Sequence, residues 1–287
     1  EDDNTENEFT FYEPKNESTS HISLGIYSKT GDTTAYSLAT HDHAIREKYA
    51  STKYSTLTSV SETGTNSYKY TQTISGSTNS DLYTVDTFFE KGDYVYNFAV
   101  TTNLDYDEME LNTILNSIKA EELDSSKIGK LMRNDPEDTL NKAKVGDYQF
   151  SIPALWKLFS KASQGSSYTN VSYVNTYTTA GIIYASMTGS DFKQTNLSTV
   201  ANSYSKSITQ DDEHEMFKKV EYTSINGKRY AYFTYTTSKA DYKSYGTVYM
   251  TCDNGTAHIF TLIQNEVFYG SAEIDDFIDI VNSFQSK

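Results

Sequence analysis

The chain has 287 residues and a formal net charge of −15, which is long for one domain and suits two of roughly 100 to 150 residues each. Such acidity repels phosphate backbones and anionic lipid surfaces, so no nucleic-acid partner is expected. A single cysteine, Cys252, rules out an intrachain disulfide and a Cys/His zinc site, and 25 Tyr with 14 Phe point to half-buried antiparallel sheets.

In chain order, residues 1–7 are charged and carry little to pack, and are expected to form a flexible N-terminal tether. That opening suits a mature exported protein whose leader has been removed, with a lipid anchor upstream of Glu1; a frayed cytosolic N-terminus is the alternative. No run of about 18 apolar residues occurs, so no transmembrane segment is expected. EFTFYEP reads as a strand stopped by proline, and HISLGIYSK as its partner. In TTAYSLATHDHAIREKYAS, Ala35, Leu38, Ile45 and Tyr49 share one helical face. SYKYTQTI alternates as a half-buried strand does, and YTVDTFFEKGDYVYNFAV reads as a hairpin turning at Lys91-Gly92. A closing helix follows in DEMELNTILNSI, where Leu111, Ile114, Leu115 and Ile118 form an apolar stripe and Asp105, Asp107 and Glu108 favour the positive end of the helix dipole.

Residues 123–146 are charged, and their Asp135-Pro136 step disfavours continuous helix, so they are expected to be a linker. The same phrases then return in the same order. DYQFSIP stands where EFTFYEP stood, and AGIIYASMTG where HISLGIYSK stood. Leu197, Val200, Tyr204 and Ile208 share a helical face, RYAYFTYT echoes SYKYTQTI, and GTVYMTCDNGTAHIFTLI is a second hairpin with Asn254-Gly255 at its turn. EIDDFIDIVNSF closes the repeat with Phe277, Ile280, Val281 and Phe284 in one stripe, and with Asn282-Ser283 matching Asn116-Ser117. Anchors at nearly constant offset argue for a duplicated architecture. The second copy is longer, and the extra residues are placed within KASQGSSYTNVSYVNTYTT.

This order of elements, with GDYQFSIPALW opening the second copy, resembles the Mog1/PsbP-like family. The resemblance implies an α+β chain of two tandem α/β/α sandwich domains, at 8–122 and 147–287, each a hairpin, a helix, a three-stranded antiparallel meander and a closing helix. Family members include a Ran-binding nuclear protein, a photosystem II extrinsic subunit and bacterial exported lipoproteins. No binding motif of the first two is matched here, and the lipoprotein group fits the acidic, Tyr-rich composition.

No catalytic constellation stands out. His41-Asp42-His43 has the look of a metal half-site, but residues two apart on a helix point to different sides, so a solvated face is expected and no metal or cofactor. Asn103, Asp105 and Asp107 fail as a calcium loop, since Glu108 and Ile114 stand where glycine and a bidentate glutamate belong. Cys252 is expected in a strand core. The Asp211–Glu215 run is expected to be an exposed turn, with a cell-envelope hydrolase using Asp211, Glu213 and His214 as the alternative. Tyr168, Tyr173 and Tyr177, set among Ser, Thr and Asn in the insertion, are the candidate binding residues, because tyrosine gives rigid amphipathic contact; the other reading is that they line a sheet face. The expected function is a non-catalytic binding or scaffolding module on the outside of the cell, anchored to its surface, with a protein, peptide or glycan of the envelope as partner; a structural spacer without ligand is the remaining alternative.

Overall fold

The computed structural model describes residues 8–12, 21–50, 54–75, 82–103, 113, 140–164, 168–175, 177–178, 180–210, 212–239, 242–269 and 271–286. The chain divides into two compact units, Glu1–Asp135 and Pro136–Lys287. The expected tether 1–7, the closing helix of the first half apart from Thr113, and Asp105, Asp107 and Asp211 lie outside the described residues.

In the first unit, β1 (Glu8–Tyr12), β2 (His21–Ser28), β3 (Ser55–Leu57), β4 (Ser61–Gly64), β5 (Ser67–Ile74), β6 (Leu82–Lys91) and β7 (Tyr94–Asn103) build one antiparallel sheet, ordered β1-β2-β7-β6-β5-β3 with β4 also on β5. Helix α1 (Ala35–Tyr49) starts at Thr34, whose side chain accepts from Ser37 N–H while the Ser37 hydroxyl accepts from Thr34 N–H. This reciprocal cap satisfies two amide groups that a helix start otherwise leaves bare. The face read from the sequence is the buried one: Ala35, Leu38, Ile45 and Tyr49 are all enclosed. Ala35, Leu38 and Ala39 meet Tyr70, Phe88 and Val95 of the sheet.

In the second unit, β10 (Trp156–Gln164), β11 (Tyr168–Asn175), β12 (Gly181–Thr188), β13 (His214–Ile225), β14 (Lys228–Lys239), β15 (Tyr242–Asp253) and β16 (Thr256–Asn265) form a second antiparallel sheet, ordered β10-β11-β12-β16-β15-β14-β13. β8 (Leu140–Val145), β9 (Tyr148–Pro153) and β17 (Gln285–Ser286) make a third, small sheet. Helix α2 (Leu197–Ile208) buries Leu197 and Ala201 against Phe233, Val248, Met250, Cys252 and Ile259. Strand residues alternate faces, so Phe260 and Tyr249 look the other way. There Tyr249 meets Phe277 of helix α3 (Ser271–Asn282), edge to face at 5.7 Å, and Phe260 meets Phe150 of β9 at 5.6 Å.

The expected pair of α/β/α sandwiches is corrected by the observed fold. The described residues are mostly antiparallel strand in three sheets, with three α-helices. Strands were hidden in stretches that read as connection. Leu140–Val145, inside the expected linker, alternates its burial as β8, and Tyr168–Asn175, inside the expected insertion, is β11. DYQFSIP is also not the counterpart of EFTFYEP: β9 belongs to the small sheet, whereas β1 lies in the main sheet of its unit. The hairpins turn as their glycines require. Asn254-Gly255 and Asn226-Gly227 both have positive φ, and Gly92 has φ 59° at a turn that joins Lys91 to Tyr94.

Candidate functional site

Among the described residues the second sheet ends in two outer strands, β10 and β13, each hydrogen-bonded on one side. An outer strand leaves a row of backbone donors and acceptors available for a further strand.

On β13 the aromatic side chains already have partners. Phe217, 49% exposed, lies 5.2 Å edge-on to Tyr245 and 6.2 Å from Tyr269. The Tyr222 hydroxyl donates to Ser198 Oγ on α2 at 3.0 Å, and the Arg229 guanidinium sits 4.5 Å above the Tyr222 ring. Register shifts at Met216/Lys218 and Lys218/Glu221 break the strand's regularity, as one at Leu158/Ser160 does in β10.

β10 is different. It is anchored at one end by Trp156, which is buried and whose indole N–H donates to Asp276 Oδ2 of α3 at 3.3 Å. The next six residues, 157–162, are all exposed. Leu158 is 55% exposed and Phe159 76%. Leu158 stands opposite Tyr173 and Ser160 opposite Ser172, so Phe159 has no residue across from it and the strand bulges there. No carboxylate occurs between Trp156 and Gln164, while Lys157 and Lys161 flank the apolar pair.

The three candidate tyrosines are not gathered at one place. Tyr168 and Tyr173 are five residues apart on an unbroken strand and so face opposite sides of the sheet. Tyr173 is half-buried with its ring 6.1 Å from Phe150, and burial raises its phenol. The Tyr168 hydroxyl accepts from Asn170 Nδ2 at 3.1 Å. Tyr177 lies in the turn after β11, its N–H donating to Asn175 Oδ1 at 2.8 Å.

Titratable groups are buried in four places. Under α1, Arg46 Nε donates to Asp42 Oδ2 (3.3 Å) and to the Tyr70 hydroxyl (2.7 Å), which itself donates to Asp42. Arg46 Nη1 donates to Gln72 Oε1 at 3.1 Å, and Nη2 pairs with Asp86 at 3.3 Å. Burial holds the Asp86 carboxyl above the ordinary range against the pull of Arg46, and burial with the Asp42 charge raises Tyr70. Asp42 is therefore tied into the interior instead of lying on the solvated face expected of it. His43 sits edge-on to Tyr70 at 5.3 Å with Nε2 3.0 Å from Thr58 O.

In the second unit, Glu273 of α3 is buried and accepts from the Thr178 hydroxyl and from Gln264 Nε2 (2.6 Å); burial first, then the Asp276 charge, push its carboxyl up to about 7. His258 of β16, also buried, shares a 3.0 Å hydrogen bond between Nδ1 and the Tyr184 hydroxyl and packs against Tyr148 and Phe284. Burial lowers it to about 4. Cys252 is fully buried with its thiol pushed up to about 11 by burial. Asp86, Glu273, His258 and Cys252 are all buried. Among the described residues no three His, Cys, Asp or Glu side chains are placed to hold a metal ion. Glu213 and His214 lie at the exposed start of β13, where His214 packs on Tyr235 at 5.7 Å.

Sequence reading missed β10, which lay partly inside the presumed insertion. The signal was WKLF itself, two large apolar residues following a tryptophan and followed by Ser and Lys.

No family model matches the chain, and no curated protein matches it. Several solved structures are similar at low scores. A protein from Bacteroides thetaiotaomicron is 10% identical with a TM-score of 0.35, over 49% of this chain and 45% of that one; the chain thus spans less than half of that protein's length. Cyanobacterial PsbP from Synechocystis sp. PCC 6803 is 17% identical with a TM-score of 0.41, over 52% of this chain and 92% of its own. The apo immunity protein TplEi of the T6SS of Pseudomonas aeruginosa is 13% identical with a TM-score of 0.32, over 99% and 98%. A PsbP protein is thus among the similar structures. At such scores none of the likenesses transfers a function or a partner to this chain.

Proposed function

We propose that the chain is an exported protein held at the cell surface, built of tandem Mog1/PsbP-like domains and acting as a non-catalytic binding module, with β10 as its contact strand. The observation that supports this is the open β10 edge with Leu158 and Phe159 side by side in solvent, 55% and 76% exposed. Single exposed apolar side chains are ordinary on any surface, but adjacent ones on an outer strand favour association. The acidic, tyrosine-rich composition supports the extracellular placement.

The test places a photo-crosslinking amino acid at position 159 and, separately, at Leu140, which is 61% exposed in the same unit. A discrete adduct at 159, absent at 140 and competed by excess wild-type chain but not by an L158S/F159S variant, is the expected result. Equal labelling at both positions, or none at either, overturns the reading.

A further inference from the structure

We infer that Phe284 and β17 form a latch across β9, and that acid releases this latch at His258 while the rest of the second unit stays folded. Past the end of α3, Phe284 places its ring among those of Tyr148, Tyr184, His258 and Phe260, at 5.5, 5.8, 4.9 and 5.2 Å. Beside it Ser283 Oγ accepts from Ser151 N–H of β9 at 2.8 Å, and Gln285 and Ser286 then pair with Gln149 and Tyr148. Against these rings His258 is fully buried. Its Nδ1 meets the Tyr184 hydroxyl at 3.0 Å, while Nε2 has no hydrogen-bond partner among the described residues. The closed latch therefore suits a neutral imidazole. An imidazolium donates from both nitrogens, and one of those donors would here lack an acceptor; the faces of aromatic rings return only part of the lost hydration.

The charges around His258 do not relieve this. Lys228 of β14 opposes a second cation, Asp253 of β15 favours one, and the two are paired with each other at 2.7 Å. Tyr148 of β9 and Tyr184 of β12 bring phenols, not carboxylates. Relief has to come from movement, and the elements around the imidazole differ in how firmly they are held. His258 lies opposite Ser186 of β12 on one side and Thr251 of β15 on the other, so its strand is paired along both edges. Tyr184 also lies in a strand paired along both edges. Tyr148 is held by the six residue pairs between β8 and β9. Phe284, by contrast, is held by the two pairs of β17 and the Ser283 contact. Asn226 Nδ2 donates to Asn282 O at 2.6 Å and fixes the end of α3, so the residues after Asn282 are the part that swings out.

Burial in the closed form lowers His258 from its ordinary 6.5 to about 4. Above pH 6.5 the closed and open forms are both neutral there. As pH falls towards 4 the open form takes up a proton that the closed form refuses, so opening grows across that window and levels off below it. At pH 5 the latch should be open about 30-fold more often than at pH 8. Hydrogen exchange of the Ser151 amide, which the Ser283 hydroxyl protects, reads this opening in the whole chain. Its protection factor should fall about 30-fold from pH 8 to pH 5, while the amides of β15 and β16 lose none, because Glu273 acts in the opposite sense when the whole unit opens. In H258F and in H258Q, which have no imidazole to protonate, Ser151 should be equally protected at both pH values. F284A should leave Ser151 poorly protected at both, with β15 and β16 intact. A protection factor that does not change in the wild type, a fall that persists in both His258 variants, or an equal fall across β15 and β16 overturns the latch.

Discussion

Glu273 offers the sharpest test of the second unit's energetics. Its carboxyl has an ordinary value of 4.5 and is pushed up to about 7 when folded. Below about pH 4.5 it is protonated both in the folded and in the unfolded chain. As pH rises from there towards 7, the unfolded chain releases the proton while the folded one keeps it, so stability falls across that window and levels off above it. At 1.36 kcal/mol per unit the loss is about 3 kcal/mol. Glu273→Gln keeps the shape and removes the ionisation. Gln264 Oε1 has no hydrogen-bond partner among the described residues, so turning that amide over presents an acceptor to the new NH2 group, at the loss of the 3.3 Å bond that Gln264 Nε2 donates to Phe268 O. For a unit of about 150 residues each kcal/mol moves Tm by roughly 2–4 °C. E273Q should therefore melt about 6–12 °C above wild type at pH 8 and within about 2 °C of it at pH 4. Trp156 is the only tryptophan and is buried in this unit, so its fluorescence reports this unit's unfolding. A Tm difference that stays constant from pH 4 to pH 8 would refute the reasoning.

Arg46→Met leaves Asp42 and Asp86 without their shared cation and should cost roughly 3–5 kcal/mol in the first unit, read by circular dichroism melting, whereas D42A/R46M/D86V should recover most of that loss because no buried charge remains. At Gly246 an added Cβ would lie 2.2 Å from Tyr235 Cζ; G246A should lower stability by about 1–3 kcal/mol, and G246A/Y235A should not add the two single losses, since the clash has gone. Cys252, fully buried with its thiol pushed up to about 11, should react with a thiol reagent at pH 8 only as fast as the second unit opens; labelling faster than loss of the buried Trp156 signal contradicts the placement.

Much of the fold was legible where one period was sustained. Ala35, Leu38, Ile45 and Tyr49, and later Phe277, Ile280 and Val281, recur at helical spacing and are buried as that spacing requires. β11 was missed because its inward residues, Val171, Tyr173 and Asn175, alternate with Thr, Asn, Ser and Val, so the pattern looked like a polar loop. Glu273 escaped notice for another reason. An acid in the first turn of a helix has a sufficient local explanation in the helix dipole, and only the approach of Thr178 and Gln264 from distant elements encloses it. The β10 edge was invisible for the same cause: exposure of Leu158 and Phe159 depends on which strand ends the sheet, and order within a sheet is set by long-range pairing.

The two units also show how one arrangement of strands accepts two kinds of interior. In the first, Tyr70 of β5 stands opposite Asp86 of β6, beneath α1. In the second, Phe233 of β14 stands opposite Val248 of β15, beneath α2. Both pairs lie in the two strands that precede the last strand of the meander, and both face the helix that follows the hairpin. Aromatic remains opposite a smaller residue, but hydroxyl and carboxylate have given way to hydrogen and methyl. Where Arg46 binds Tyr70 and Asp86 in one unit, Tyr204 lies 6.3 Å from Phe233 in the other. Desolvating the first unit's charges offsets much of their attraction, so its polar set adds little net stability over the apolar set. What it adds is selectivity of geometry: Arg46 reaches Tyr70, Gln72 and Asp86 of the sheet only in one placement of α1, whereas the contacts of Leu197 and Ala201 with Phe233 are apolar and carry no hydrogen-bond direction.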